Sequence, residues 1–121
     1  MNRTPLIVLA ALLGAGPVLA HHSFAMFDMQ KEVTVPGTVT EFKWTNPHAF
    51  MALDMAGDGG AVSNWAIEMT SPNNLLNVGW RRSSVKPGDK VTVTYHPLIN
   101  GRQGGALVRV KLANGTVLEN K

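Results

Sequence analysis

The sequence predicts a mainly β protein: a small five-stranded Greek-key barrel of the OB type, with one short helix between strands 3 and 4. Apolar and polar residues alternate at a period of two through five segments beyond residue 32. Clusters of Gly, Pro, Asn and Asp separate these segments. A single Ser-Pro helix opening falls after the third. A sandwich or another small barrel shares this periodicity and stands as the alternative.

Each element has its own warrant. Residues 33–44 are rich in β-branched side chains, and Pro36-Gly37 reads as a bulge or strand start. Strict alternation there puts Thr38, Thr40, Phe42 and Trp44 on one face, with Val39, Glu41 and Lys43 on the other. A turn at 45–48 leads into a second strand over 49–55, with Met51, Leu53 and Met55 on one side. Residues 56–60 form a Gly-rich hairpin loop, and 62–69 a third strand with Trp65, Ile67 and Met69 together. Ser71 as N-cap and Pro72 at the first helical position open a short helix over 73–78, which Gly79 closes in a left-handed cap. A turn at 86–89 starts the fourth strand, 90–95. A polar loop over 96–105, a fifth strand over 106–112 and a tail strand over 116–118 complete the order.

Composition divides the chain in two. Its 121 residues allow one domain. Residues 1–20 carry one charge, Arg3, ahead of an apolar run, then Gly16-Pro17, with Val18 and Ala20 at the −3 and −1 positions of a cleavage site. This is the pattern of a Gram-negative-type signal peptide cleaved after Ala20, and the run is too short for a membrane span. The expected product is a periplasmic or secreted domain over 21–121, with an N-terminal arm over 21–32. Removing the leader leaves ten basic against eight acidic side chains, so the high pI does not mark a nucleic-acid binder. The chain has no Cys, which excludes disulfides, thiolate metal sites and Cys nucleophiles.

The histidines carry the most chemistry. Cleavage after Ala20 would make His21 the N-terminus, where the α-amine and imidazole chelate together. With another imidazole this forms a brace suited to copper as Cu(II), which prefers nitrogen in a tetragonal plane. The candidate metal ligands are His21, His22, His48 and His96. His48 sits in the expected loop between strands 1 and 2, and His96 opens the one between strands 4 and 5. In an OB barrel those loops border the ligand site. The plainer reading makes His21-His22 a polar start and lets His48 and His96 cap turns. Trp44, Asn46, Tyr95 and Arg82 are candidates for the same ligand edge. Met51, Met55 and Met69 read as core, and Met26 and Met29 as pins for the arm beside Phe24 and Phe27. Trp80-Arg81-Arg82 reads as a solvated helix end whose cations favour the C-terminal dipole. No carboxylate pair, nucleophile motif or phosphate loop is present, so no catalytic residue is expected.

The segments HHSFAMFD, GTVTEFKWTNPH, SPNNLLNVGW, KPGDKVTVTYHP and NGRQGGAL together resemble the DUF6152 type of small exported bacterial protein of unknown function. The resemblance implies that His21, His22, Pro47, His48, Ser71, Pro72, Trp80, Gly88, Asp89, His96 and Pro97 occupy motif positions. It implies no activity and no catalytic residue. The expected function is non-enzymatic binding at a histidine-bearing edge, with copper as the candidate ion. The alternative is a metal-free module docking a peptide, a glycan or an envelope partner protein.

Overall fold

The computed structural model describes residues 24–121. Its strands are β1 (Val33–Lys43), β2 (Phe50–Ala56), β3 (Val62–Glu68), β4 (Lys90–Pro97), β5 (Gly104–Leu112) and β6 (Val117–Glu119), with helix α1 (Pro72–Asn77) between β3 and β4. Antiparallel pairing runs β3-β2-β1-β4-β5, and a parallel β3–β5 contact closes the ring. Five strands thus form a closed barrel with one short helix, as the element order predicts. The short β6 extends β5 past the seam. The expected leader, residues 1–20, and the histidines His21 and His22 lie outside the described residues.

Three local expectations change. Pro36-Gly37 does not interrupt β1; it pairs in register with Thr92 and Val91. The irregularity lies between Val39 and Glu41, where β1 slips one residue against β2. One extra residue reverses the parity, so Val39 is buried on the inner side and Phe42, three residues on, also packs on the core. β4 runs two residues further than expected and includes His96 and Pro97. β5 starts two residues earlier, at Gly104.

The interior holds Val39, Met51, Leu53, Met55, Ile67 and Val93, each at most 1% exposed. They come from alternate positions of facing strands, the pattern that a single inner face requires. One barrel end is plugged by α1 together with Trp80, just beyond its C-terminus. Ser71 Oγ accepts the Asn74 amide, Gly79 takes a positive φ of 99°, and Leu75 and Trp80 are fully buried. The Trp80 indole donates to Glu119 O at 2.8 Å, tying the plug to β6. Asn120 stitches the seam: its Oδ1 accepts from Thr70 N, and its Nδ2 donates to Leu107 O, both at 2.8 Å.

The arm docks along the end of β4. Asp28 N donates to Pro97 O and Ile99 N to Met26 O, around a bridge between Phe27 and Leu98. Only Phe27 is buried; Phe24, Met26 and Met29 are about half exposed, so they do not pin the arm. Backbone hydrogen bonds and one ring hold it instead. Among the described residues no helix is long and apolar enough to cross a membrane.

Candidate functional site

His48 belongs to a turn whose Asn46–Pro47 bond is cis. Ala49, next in the chain, is fully buried and bonded to Met69 and Thr70, so His48 projects from the outer surface. There its Nδ1 meets Glu68 Oε1 at 2.5 Å, with the two side chains 28% and 22% exposed. Glu68 alternates with the buried Ile67 and Met69 and therefore also faces outward. A carboxylate only accepts, so the imidazole donates through Nδ1–H, and Nε2 is the nitrogen that bears the lone pair in the neutral ring.

His96 has the same electronic arrangement by a different route. Its Nδ1 lies 2.8 Å from Lys31 O, a pure acceptor, so Nδ1 carries a proton and Nε2 is the nitrogen that bears the lone pair in the neutral ring. Strand parity puts it outside too, because Tyr95 before it is buried. His96 pairs with Ala106, and Ala106 pairs with Glu68. The strand spacing places His96 and Glu68 about 10 Å apart between Cα atoms, with only a methyl group between them.

The other candidates do not share this surface. Tyr95 points inward opposite Val33, where its ring meets Trp65 at 6.0 Å. Trp44 lies just past the far end of β1 and sits edge-on to Phe42 at 5.8 Å; Phe42 in turn lies 5.9 Å from Trp80. Trp44 thus belongs to the plugged end and Tyr95 to the opposite mouth. Asn46 is exposed in the β1–β2 turn, and Arg82 is exposed beyond α1. Arg81, its neighbour, donates to Trp80 O at 2.7 Å and to Leu76 O, as expected for a cation at a helix end. Among the described residues no group of three or more His, Asp or Glu side chains gathers closely enough to hold a metal ion. His48 and His96 alone offer at most two imidazoles.

Two features escape a reading of the sequence. Alternation puts Glu68 on the outer face, but its partnership with His48 spans 20 residues of sequence and leaves no local signal. The second is the open mouth. Opposite the plug, a cavity of about 720 Å³ is floored by Val35, Trp65 and Tyr95 and rimmed by the arm and the β4–β5 loop.

Among known proteins, no curated sequence and no solved structure matches the chain. Residues 9–108 match a family of unknown function, DUF6152, and the chain belongs to that family.

Proposed function

We propose that this protein is an exported, non-enzymatic binding protein whose histidines take up Cu(II). The supporting observation is the matched state of His48 and His96. Each ring is oriented by an oxygen acceptor at Nδ1, which leaves Nε2 with no hydrogen-bond partner among the described residues. Metal-bound imidazoles commonly carry this second hydrogen bond, to a carboxylate or a backbone carbonyl. Two imidazoles are too few for a tight site. The remaining donors in this reading are the amine and ring of His21, which leader removal after Ala20 would create. The carbonyl that holds His96 belongs to Lys31, ten residues along the sequence from His21. Copper would act here as cargo or as a structural ion, bound through nitrogen.

Equilibrium titration of the chain beginning at His21 tests this reading. Sub-micromolar Cu(II) binding is expected, and His96→Ala or His48→Ala should weaken it at least tenfold. One residue added before His21 removes the chelating amine geometry and should abolish tight binding. Absence of sub-micromolar binding, or binding indifferent to all three changes, overturns the proposal.

A further inference from the structure

We propose that the open barrel mouth binds a zwitterionic ligand with an apolar side chain: a hydrophobic amino acid or a short peptide of that kind. The mouth and the histidine surface are distinct. Tyr95 and His96 are consecutive in β4, so their side chains lie on opposite sides of the barrel wall.

Three observations converge. The first is volume. A cavity of about 720 Å³ falls within the range that takes up small ligands, and barrel mouths are a common place for them. Since Leu75 and Trp80 fill the other end, the mouth is a cup and not a channel.

The second is the lining. Val33, Val35 and the Trp65 and Tyr95 rings make an apolar, aromatic floor, with Ser63 and Gln103 among the polar residues that complete the lining. The Trp65 indole N–H is already engaged by Ser63 Oγ at 3.0 Å, so the aromatic floor asks for no polar group from a ligand. An apolar side chain is what this floor accepts at no cost in unpaired polar groups.

The third is the rim. Asp28 and Lys31, three residues apart in the arm, both border the cup and make no ion pair with each other. Lys31 Nζ has no hydrogen-bond partner among the described residues. Asp28 uses Oδ1 to accept from Gln30 N, leaving its other oxygen available. Opposite charges held near but not on each other complement a ligand that carries both an ammonium and a carboxylate. A purely anionic ligand would meet Asp28 as a repulsive neighbour, and a purely cationic one would meet Lys31.

The dipeptide leucyl-phenylalanine is a suitable probe, monitored by amide NMR of the full mature chain. Saturable binding with Kd below about 1 mM is expected. It should shift the Trp65 indole resonance while leaving those of Trp44 and Trp80 in place. Lys31→Gln and Asp28→Asn lie on the exposed arm and leave the barrel intact by circular dichroism. Each should weaken binding about 2–5-fold, as expected for solvent-exposed charge contacts. N-acetylation of the probe should reproduce the Asp28 loss, and C-terminal amidation the Lys31 loss. No saturable shift at Trp65 overturns the proposal. So does binding that ignores both rim substitutions, or an N-acetylated probe that binds as well as the free one. His48→Ala should leave this binding unchanged whatever its effect on copper.

Discussion

Substituting Ala for Gly105 separates two adjacent glycines that look equivalent in sequence. A Cβ at Gly105 would lie 2.4 Å from Tyr95 Cδ2 and 2.7 Å from His96 O, whereas ordinary contacts begin near 3.4 Å. The ring alone could swing aside, but the His96 carbonyl is part of the β4–β5 ladder, where Pro97 pairs with Gly105. Relief therefore requires β4 and β5 to part by several tenths of an ångström where β3 also pairs with β5. Overpacking of this kind costs about 1–3 kcal/mol. Restricting the unfolded chain returns about 0.4–1 kcal/mol, since neither glycine has a positive φ. The net expectation is a loss of about 1–2 kcal/mol, or roughly 4–16 °C in the melting midpoint for a domain of this size. At Gly104 the added Cβ meets Leu98 Cδ1 at 3.0 Å, the tip of a flexible side chain, and Ala66 O at 3.4 Å. There the strain and the entropy gain should nearly cancel, within about 0.5 kcal/mol. Urea denaturation of the three proteins, read by tryptophan fluorescence, measures both differences. If Gly105→Ala is as stable as the parent, or Gly104→Ala is the worse of the two, the seam is not packed as tightly as these distances require.

Two other contacts give further expected outcomes. Asn120→Ala should cost about 1–2 kcal/mol, because it strips partners from Thr70 N and Leu107 O at part-buried positions; denaturation and faster hydrogen exchange at the Thr70 amide would show it, and unchanged exchange would contradict it. At the β4 entry, the Lys86 side chain bonds Asp89 Oδ1 at 2.9 Å, and the Lys86 amide bonds Oδ2 at 3.0 Å. The ammonium's hydrogen bond first, and the amide's second, hold the Asp89 carboxyl below its ordinary 3.8. A folded value below the unfolded one adds stability that is complete above about pH 4 and is lost as pH falls through the folded value. Lys86→Met should raise the Asp89 midpoint towards 3.8 without reaching it, since the backbone bond survives. Carbon NMR titration of the carboxyl checks this, and a midpoint that does not move refutes it.

The strand count, the helix and its Ser71 cap are legible because each rests on residues within one turn or one strand of each other. The inward set of β2 and β3 comes from simple alternation. β1 defeats the same rule: its slip at Val39/Glu41 is a pairing event with β2, and nothing in residues 38–43 announces it. The end of β4 is hidden for a related reason. His96-Pro97 resembles a loop start, since Pro lacks a donor. Yet Pro97 needs none where it pairs, while its carbonyl accepts from Asp28. The histidines are visible as candidates, but their partners, Glu68 and the Lys31 carbonyl, lie 20 and 65 residues away.

The run Gly104-Gly105-Ala106 bears on both the β4 end and the histidine partners. In sequence it extends a Gly-rich loop; in the barrel it is the stretch of β5 bonded on both sides, to β3 and to β4. A strand wedged between two neighbours at a closure has little lateral room, and small side chains let both approach. Gly105 faces inward and admits the Tyr95 ring that floors the cup. Gly104 and Ala106 are small on the outer side, where Leu98 folds over the first and His96 and Glu68 flank the second. One short stretch thus sets the depth of the mouth and the spacing of the histidine surface, through opposite faces of a single strand. Enlarging Ala106 to Val should therefore disturb His96 and Glu68 and leave the Tyr95 ring in place, whereas Gly105→Ala should displace the Tyr95 ring together with the His96 backbone. If Ala106→Val shifts the Tyr95 ring resonances as Gly105→Ala does, the two faces are not independent, and the histidine surface and the cup form one coupled site.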